Sequence, residues 1–410
     1  MKNVPAAGAA QDARTPAQGS PLEVLQVFTW LGMTCFGGPI AHLGYFRREF
    51  VDRRKWLTEH AYADLVGLCQ FLPGPASSKV GYSLGLMRAG YLGGLAAFVG
   101  FTLPSAILLV LFAYGASSVA ATVVGQGLFH GLKLTAVAIV AQAVWGMAVK
   151  LCPDRPRALI ATAMTVLALL APTSIGQIAG ILVGGLLGLR FCRSDAESVP
   201  EAVQFGVSRT VGVAAFVAFA ALLGMSLWPQ GQTIAGMFSA FYRSGALVFG
   251  GGHVVLPLLT EAIQRPGWVT QGTFLAGYGA AQAVPGPLFT FATYLGAVMT
   301  QPLGGLKGAA LATVAVFLPG LLLQTAALPF WNMFRGRKGA QAAMRGVNAA
   351  VVGILAAALY ARVFTPTVTS SADFAIAATG FVLLTALKTP PLVVVALSAL
   401  SGVGLALLGG

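Results

Sequence analysis

The sequence predicts an all-α polytopic membrane protein: two inverted homologous repeats with broken, re-entrant helices, joined by one extra transmembrane helix. Three observations predict this. Of 410 residues 57% are apolar and 9% charged, with a mean hydropathy of +0.80, whereas a soluble domain carries about 25% charged residues to cover its surface. Glycine is abundant, at 52 residues, as it is in membrane helices that approach one another closely. The chain also contains itself twice. Phe36-Gly37-Gly38-Pro39 recurs as Phe249-Gly250-Gly251-Gly252, Trp56-Leu57-Thr58 as Trp268-Val269-Thr270, and Gln70-Phe71-Leu72-Pro73-Gly74-Pro75 as Gln282-Ala283-Val284-Pro285-Gly286-Pro287. Gly93-Gly94, Leu103-Pro104 and Gly131 recur as Gly304-Gly305, Leu318-Pro319 and Gly346, all in one order at an offset of roughly 213 residues.

Residues 1–21, rich in Ala, Gly and Pro, lack the apolar core of a secretory signal and read as a disordered cytoplasmic lead. The first repeat, 22–193, gives six helical elements near 22–46, 60–88, 91–114, 128–150, 158–171 and 174–190. The first two are interrupted by Gly and Pro, and the last two are short for full spans. A linker, 194–233, holds one apolar run from Thr210 to Trp228, long enough to cross a hydrocarbon core of about 30 Å once. The second repeat, 234–410, gives elements near 234–260, 270–300, 304–330, 342–362, 373–387 and 390–408. If the two broken elements of each repeat return to the side they entered from, the single linker span inverts the second repeat. Arg47 to Lys55, Lys150 to Arg157 and most other basic residues then share one face, as the positive-inside rule requires. That places the N-terminus inside and the C-terminus outside. Most of the surplus of 25 Lys and Arg over 12 Asp and Glu therefore orients the chain and says little about its cargo.

The breaks carry the chemistry. Proline removes an amide donor and glycine loosens the helix, so Pro73-Gly74-Pro75 leaves about 12 residues on each side, roughly 18 Å and too short to cross. Backbone groups freed at such depth are tolerated only where protein or a water-filled cavity satisfies them. The half-helices that restart at Ala76-Ser77-Ser78-Lys79 and at Leu288-Phe289-Thr290 offer unpaired amides, a positive dipole end and hydroxyls, which suit an anion. The same holds after Gly37, Gly38 and Pro39 and after Gly250, Gly251 and Gly252. Four ends could converge on one central site; the plain alternative is a set of proline kinks that only pack helices.

Charges inside the elements are costly, about 2.5–3.5 kcal/mol on insertion scales. Lys79 is the leading cation to face the anion, against snorkelling or a pair with Asp64; Arg243 and Lys133 lie close enough to element ends to reach the interface. His42 and His253 follow the glycine breaks and could titrate near neutrality, or simply satisfy a backbone carbonyl. Arg47, Arg48, Arg53 and Arg54, with Lys55, read as a topology and headgroup cluster that could also gather anions at a cytoplasmic mouth. The basic residues lack interleaved nucleic-acid motifs, Cys35, Cys69, Cys152 and Cys192 lack metal spacing, and neither a phosphate loop nor HExxH occurs. No cofactor, metal or nucleic acid is expected; the partners are the bilayer, an oxyanion and, as a candidate, a second copy of the chain.

Phe36-Gly37-Gly38-Pro39 with His42 and Tyr45-Phe46-Arg47-Arg48, then Trp56-Leu57, Tyr62-Ala63-Asp64-Leu65 and Gln70 to Ser78, resemble the first-half signature of the chromate ion transporter family. Phe249 to Pro257 and Gln282 to Pro287 resemble its second-half signature. The resemblance covers both repeats. It implies a bacterial inner-membrane exporter of chromate that confers resistance, with sulfate as the related tetrahedral oxyanion, and site residues at the positions quoted. The chain departs at Lys79, where the family run has glutamine. An anion channel sharing the helix-end site, and an enzyme or scaffold using His42, Asp64 and His253, stand as alternative readings, the latter without any nucleophile–base spacing.

Overall fold

The computed structural model describes residues 19–119, 122–170, 174–192, 205–228, 230–249, 254–264, 266–330 and 338–408. Among these the chain forms helices and turns and no strand. Most of the expected lead and the head of the linker lie outside the described residues.

The first repeat opens with α1 (Pro21–Thr34), α2 (Gly38–Arg47) and α3 (Glu59–Phe71). Ser20 caps α1 by accepting from the Glu23 amide at 3.1 Å, and Pro21 sits in the first turn, where no amide is needed. α2 runs on through a π turn over Arg48–Arg53. The repeated Trp-x-Thr motif acts as a helix start. Trp56 and Trp268 are buried, while Thr58 and Thr270 accept from the Ala61 and Thr273 amides at 3.2 Å and cap α3 and its counterpart α11 (Gln271–Ala283).

α4 (Ala76–Val119) folds back on itself. Its backbone leaves helical geometry at Ala89 and Gly90, the latter at φ +63°, and a Cβ at Gly85 would come within 2.3 Å of the Gly93 carbonyl oxygen. Eight residues would separate these two by about 12 Å along a straight helix. α4 is thus two antiparallel arms, 76–88 and 91–119. The second repeat makes the same hairpin from α12 (Phe291–Val298) and α13 (Gly305–Ala327), where a Cβ at Gly296 would lie 2.2 Å from the Gly308 carbonyl oxygen.

The first repeat continues through α5 (Val123–Leu151), α6 (Arg155–Leu170) and α7 (Ser174–Phe191), and α8 (Arg209–Leu227) is the linker helix. The second repeat begins with α9 (Ile234–Ala246) and α10 (Val255–Leu259) and ends with α14 (Lys338–Ala358), α15 (Ser371–Thr385) and α16 (Pro391–Leu408). Six helices among the described residues are long and apolar enough to cross a membrane: Ala76–Gly115, Val123–Leu151, Arg209–Leu227, Gly305–Phe330, Gly339–Phe364 and Pro391–Leu408. Within the first, the arm from 91 onward suffices alone. Leu111, Trp145, Leu186, Phe216 and Leu400 stand exposed, an outer surface suited to lipid rather than water.

The halves exchange their terminal hairpins. α15 and α16 of the second repeat pack on α5 of the first, and α6 and α7 of the first pack on α14 of the second. The crossings are built on glycine: a Cβ at Gly131 would lie 2.2 Å from the Ser398 carbonyl oxygen, and one at Gly346 would lie 2.0 Å from that of Gly184. These two glycines are the repeat-matched pair of the sequence. Polar ties follow the same exchange. His130 Nε2 meets Asp373 Oδ1 at 2.6 Å, and Asp373 also accepts the Thr369 and Ser370 amides that start α15. At the position matching His130, Arg345 donates to the Cys192 carbonyl at the end of α7, 2.9 Å away.

Candidate functional site

The breaks of the two repeats are hydrogen-bonded to each other. The Gly74 amide donates to the Val248 carbonyl at 2.7 Å, and the Gly286 amide donates to the Cys35 carbonyl at 2.9 Å. Gly74 matches Gly286 and Cys35 matches Val248 in the duplication, so one contact is made twice. Both glycines adopt positive φ, +101° and +99°, a conformation that L side chains avoid. Behind them stand the residues that follow the matched prolines: a Cβ at Gly74 would lie 2.9 Å from Gly320 Cα, and one at Gly286 would lie 2.9 Å from Ser105 Oγ. Pro75 and Pro285 to Pro287 are half-buried or buried around this junction. Three of the four expected breaks therefore meet in the described residues. The fourth, Gly250, Gly251 and Gly252 with His253, lies outside them, although Val248 just before it is the acceptor for Gly74.

On the first-repeat side the junction is polar. Gly37, at φ +95°, is the N-cap of α2 with no side-chain capping bond, followed by Gly38 at φ +76° and Pro39 in the first turn. One turn on, His42 is fully buried; its Nδ1 lies 3.4 Å from Ser77 Oγ and its ring meets Phe101 edge-on. His42 Nε2, Ser78 Oγ and Thr102 Oγ1 are buried without a hydrogen-bond partner among the described residues. Pro73 precedes the break, and Ser77 and Ser78 lie in the first turn of α4, where amides lack intrahelical acceptors. An unpaired imidazole nitrogen, hydroxyls and a helix N-terminus together can hold an anion through donors alone.

The second repeat differs. Leu288 and Phe289 occupy the positions of Ala76 and Ser77, Phe291 that of Lys79 and Val255 that of His42, all buried. Thr290, matching Ser78, spends its hydroxyl proton on the Pro287 carbonyl at 2.7 Å.

Lys79 is held by backbone carbonyls at the break. Its ammonium reaches back past the start of α4 and donates to the Leu72 and Pro73 carbonyls, at 2.6 and 3.0 Å. These are acceptors of the opposite polarity, freed where α3 ends. Arg243 and Lys133 reach element ends, as their positions allow: Arg243 donates to the Ser226 carbonyl at 2.9 Å, and the Lys133 ammonium comes up to Gly272. The basic cluster is largely neutralised. Arg47 pairs with Glu59 at 2.8 Å and Asp52 at 3.3 Å, Arg53 with Glu49 at 3.1 Å, and Arg54 with Glu49 and Glu23, while Arg48 is exposed. This is more a cross-braced rim than a bare positive mouth.

Thr102, Ser105 and Gln324 were not singled out in the sequence. Ser105 and Gly320 directly follow the matched pairs Leu103-Pro104 and Leu318-Pro319, which was the available signal.

Comparison with known proteins places these motifs. The family model described as chromate transporter matches residues 22–189 and again 235–403. A chromate transport protein from Pseudomonas aeruginosa is 30% identical over 356 residues, covering 85% of this chain and 83% of the relative. One from Cupriavidus metallidurans is 25% identical, covering 82% and 81%, and an uncharacterized transporter from Methanocaldococcus jannaschii is 24% identical, covering 82% and 83%. No solved structure matches the chain.

Proposed function

Because the chain belongs to the chromate transporter family, and is a multi-pass membrane transporter rather than an enzyme, we propose that it carries chromate out of the cytoplasm across the plasma membrane. The membrane potential drives the step, sulfate competes as the related tetrahedral dianion, and the outcome for the cell is chromate resistance. Each negative charge leaving an inside-negative cell gains about 2.3 kcal/mol per 100 mV, so a dianion gains about 4.6 kcal/mol without a coupled ion. Substrate sits at the junction of the breaks, against His42, Ser77, Ser78 and the first amides of α4, with Pro73 to Pro75, Gly37 to Pro39 and Pro285 to Pro287 shaping it. Among the described residues repeat two contributes apolar walls there.

One observation favours a transporter with alternating access over a channel: two matched helices are packed differently. α11 is buried on all sides from Phe274 to Ala281, and a Cβ at Gly279 would lie 2.2 Å from the Leu132 carbonyl oxygen of α5. At the matched position in α3, a Cβ at Gly67 meets no described residue within 4 Å, and His60, Ala63, Gly67 and Gln70 form a stripe exposed among the described residues. Leu132 matches Val347 of α14. With the stripe read as an aqueous face, and with α3 on the cytoplasmic side and α11 on the outer side of the inverted arrangement, this conformation is open inward. The outward-open state exchanges the two contacts: Gly67 closes on Val347 while Gly279 leaves Leu132.

Two results test this reading. Everted vesicles holding the protein are expected to accumulate labelled chromate in proportion to the imposed potential, with excess sulfate reducing uptake; no uptake at full expression sinks it. In a background with the four native cysteines replaced, Gly67→Cys with Val347→Cys should cross-link with a short thiol reagent and arrest transport. A channel would never bring that pair together.

A further inference from the structure

Lys79 occupies a pocket built for a cation. It is fully buried on the first arm of α4, and its ammonium is held by the Leu72 and Pro73 carbonyls. Leu72 closes α3 with extended backbone, so these carbonyls belong to the end of a helix broken in mid-membrane. The last carbonyls of a helix carry the negative end of its dipole. Three more buried groups belong to the elements that meet near Lys79: Cys69 in the last turn of α3, Ser83 one turn beyond Lys79, and Gln324 on α13, all with no exposure. Gln324 Nε2 donates to Ser83 Oγ at 2.8 Å, and the Cys69 thiol lies near the Lys79 charge. Gln324 Oε1 is buried without a partner among the described residues. The two freed carbonyls are hard oxygen donors, and they already hold an ammonium. Unwound carbonyls at half-helix C-termini are where secondary transporters hold Na+. The matched place in the second repeat holds Phe291, so the pocket occurs in one repeat.

We propose that the carbonyl pocket at the end of α3 is a monovalent-cation site whose occupant in this chain is its own Lys79 ammonium, a tethered replacement for a co-transported ion. A tethered charge satisfies the broken helix but cannot be released to either side. Na+ or K+ is therefore not carried through this pocket, and the anion moves on its own gradient and the potential. The energetic consequence rests on the transporter reading given above; the cation site does not.

The pocket is tested on the purified full-length chain without any oxyanion, by thermal unfolding in NaCl, KCl and choline chloride at equal ionic strength. Wild type and Lys79→Arg should unfold at the same midpoint in all three salts. Lys79→Ala and Lys79→Gln should unfold earlier in choline and regain stability in a saturable way with Na+ or K+, as a ligand that binds only the folded state requires. Should Lys79→Ala not fold in choline, recovery of folded yield in Na+ or K+ reads the same effect. In proteoliposomes, wild-type chromate transport should be equal in the three salts, whereas Lys79→Ala should lose about tenfold in choline, equivalent to ~1.4 kcal/mol, and recover with Na+ or K+. A wild type that needs Na+ or K+, or variants whose stability or folded yield answers to neither ion, would overturn the proposal. Failure of wild-type chromate uptake would strike the chromate reading and leave the unfolding result standing.

Discussion

Gly74→Val is expected to abolish transport while leaving a chain that still inserts in the membrane. Valine at φ +101° costs about 1–2 kcal/mol in backbone strain, and its side chain meets Gly320 Cα at 2.9 Å, a backbone atom with no rotamer to yield. Overpacking of this kind adds about 1–3 kcal/mol. Relief requires the break to withdraw from α13, which separates the Gly74 amide from the Val248 carbonyl and uncouples the repeats. A penalty of about 3 kcal/mol corresponds to a loss of roughly a hundredfold. Initial uptake rates per folded protein, with folded protein counted by gel filtration, measure it. Near-normal transport by Gly74→Val would show that the junction is mere packing. The matched site gives an internal control. At Gly286 the nearest atom is a side chain, Ser105 Oγ, so Ser105→Gly should return part of the activity lost in Gly286→Ala. No equivalent second change can rescue Gly74→Ala, since its neighbour is already glycine.

Gly346→Leu is the second large expected effect, and it strikes assembly rather than chemistry. A Cβ there lies 2.0 Å from the Gly184 carbonyl oxygen and 2.6 Å from Gly188 Cα; both belong to a helix backbone that cannot move one atom at a time. The cost lies at or above the top of the ~1–3 kcal/mol range for overpacking, and the expected result is little monodisperse protein and an early unfolding midpoint. Gly131→Leu, facing the Ser398 carbonyl at 2.2 Å, should fail alike, whereas Gly146→Leu, with no described residue within 4 Å of its Cβ, should behave as wild type. Equal tolerance at all three positions would overturn the exchanged packing.

Composition and the duplicated motifs made the helical, two-repeat, membrane-spanning class legible, because a hydrocarbon solvent leaves few backbone options. The break positions were legible too, since proline and glycine act locally at Pro73 to Pro75 and Pro285 to Pro287. Orientation within the site was not. Lys79 follows its break by one helical turn, and spacing alone could not say whether its long side chain meets an anion at the start of α4 or the Leu72 carbonyl at the end of α3. The pairing of Arg54 with Glu23 and of Arg47 with Glu59 was equally hidden, because it depends on the π turn after α2 coming alongside α1 and α3, whereas Glu49 and Asp52 lie in that turn itself. The exchange of hairpins left only the recurrence of Gly131 at Gly346 as its trace.

That exchange sets a schedule for synthesis. The partner that covers α6 and α7 is α14, whose Lys338 emerges about 150 residues after Phe191 has been made. At roughly 5–20 residues per second a ribosome needs on the order of 7–30 s to supply it. For that interval two apolar helices with a glycine groove at Gly184 and Gly188 wait in the bilayer uncovered, within reach of any other small-residue helix. The newborn first repeat is thus an incomplete object with a timed exposure, and slowing translation between α8 and α13 should trade folded protein for misassembled or degraded chain.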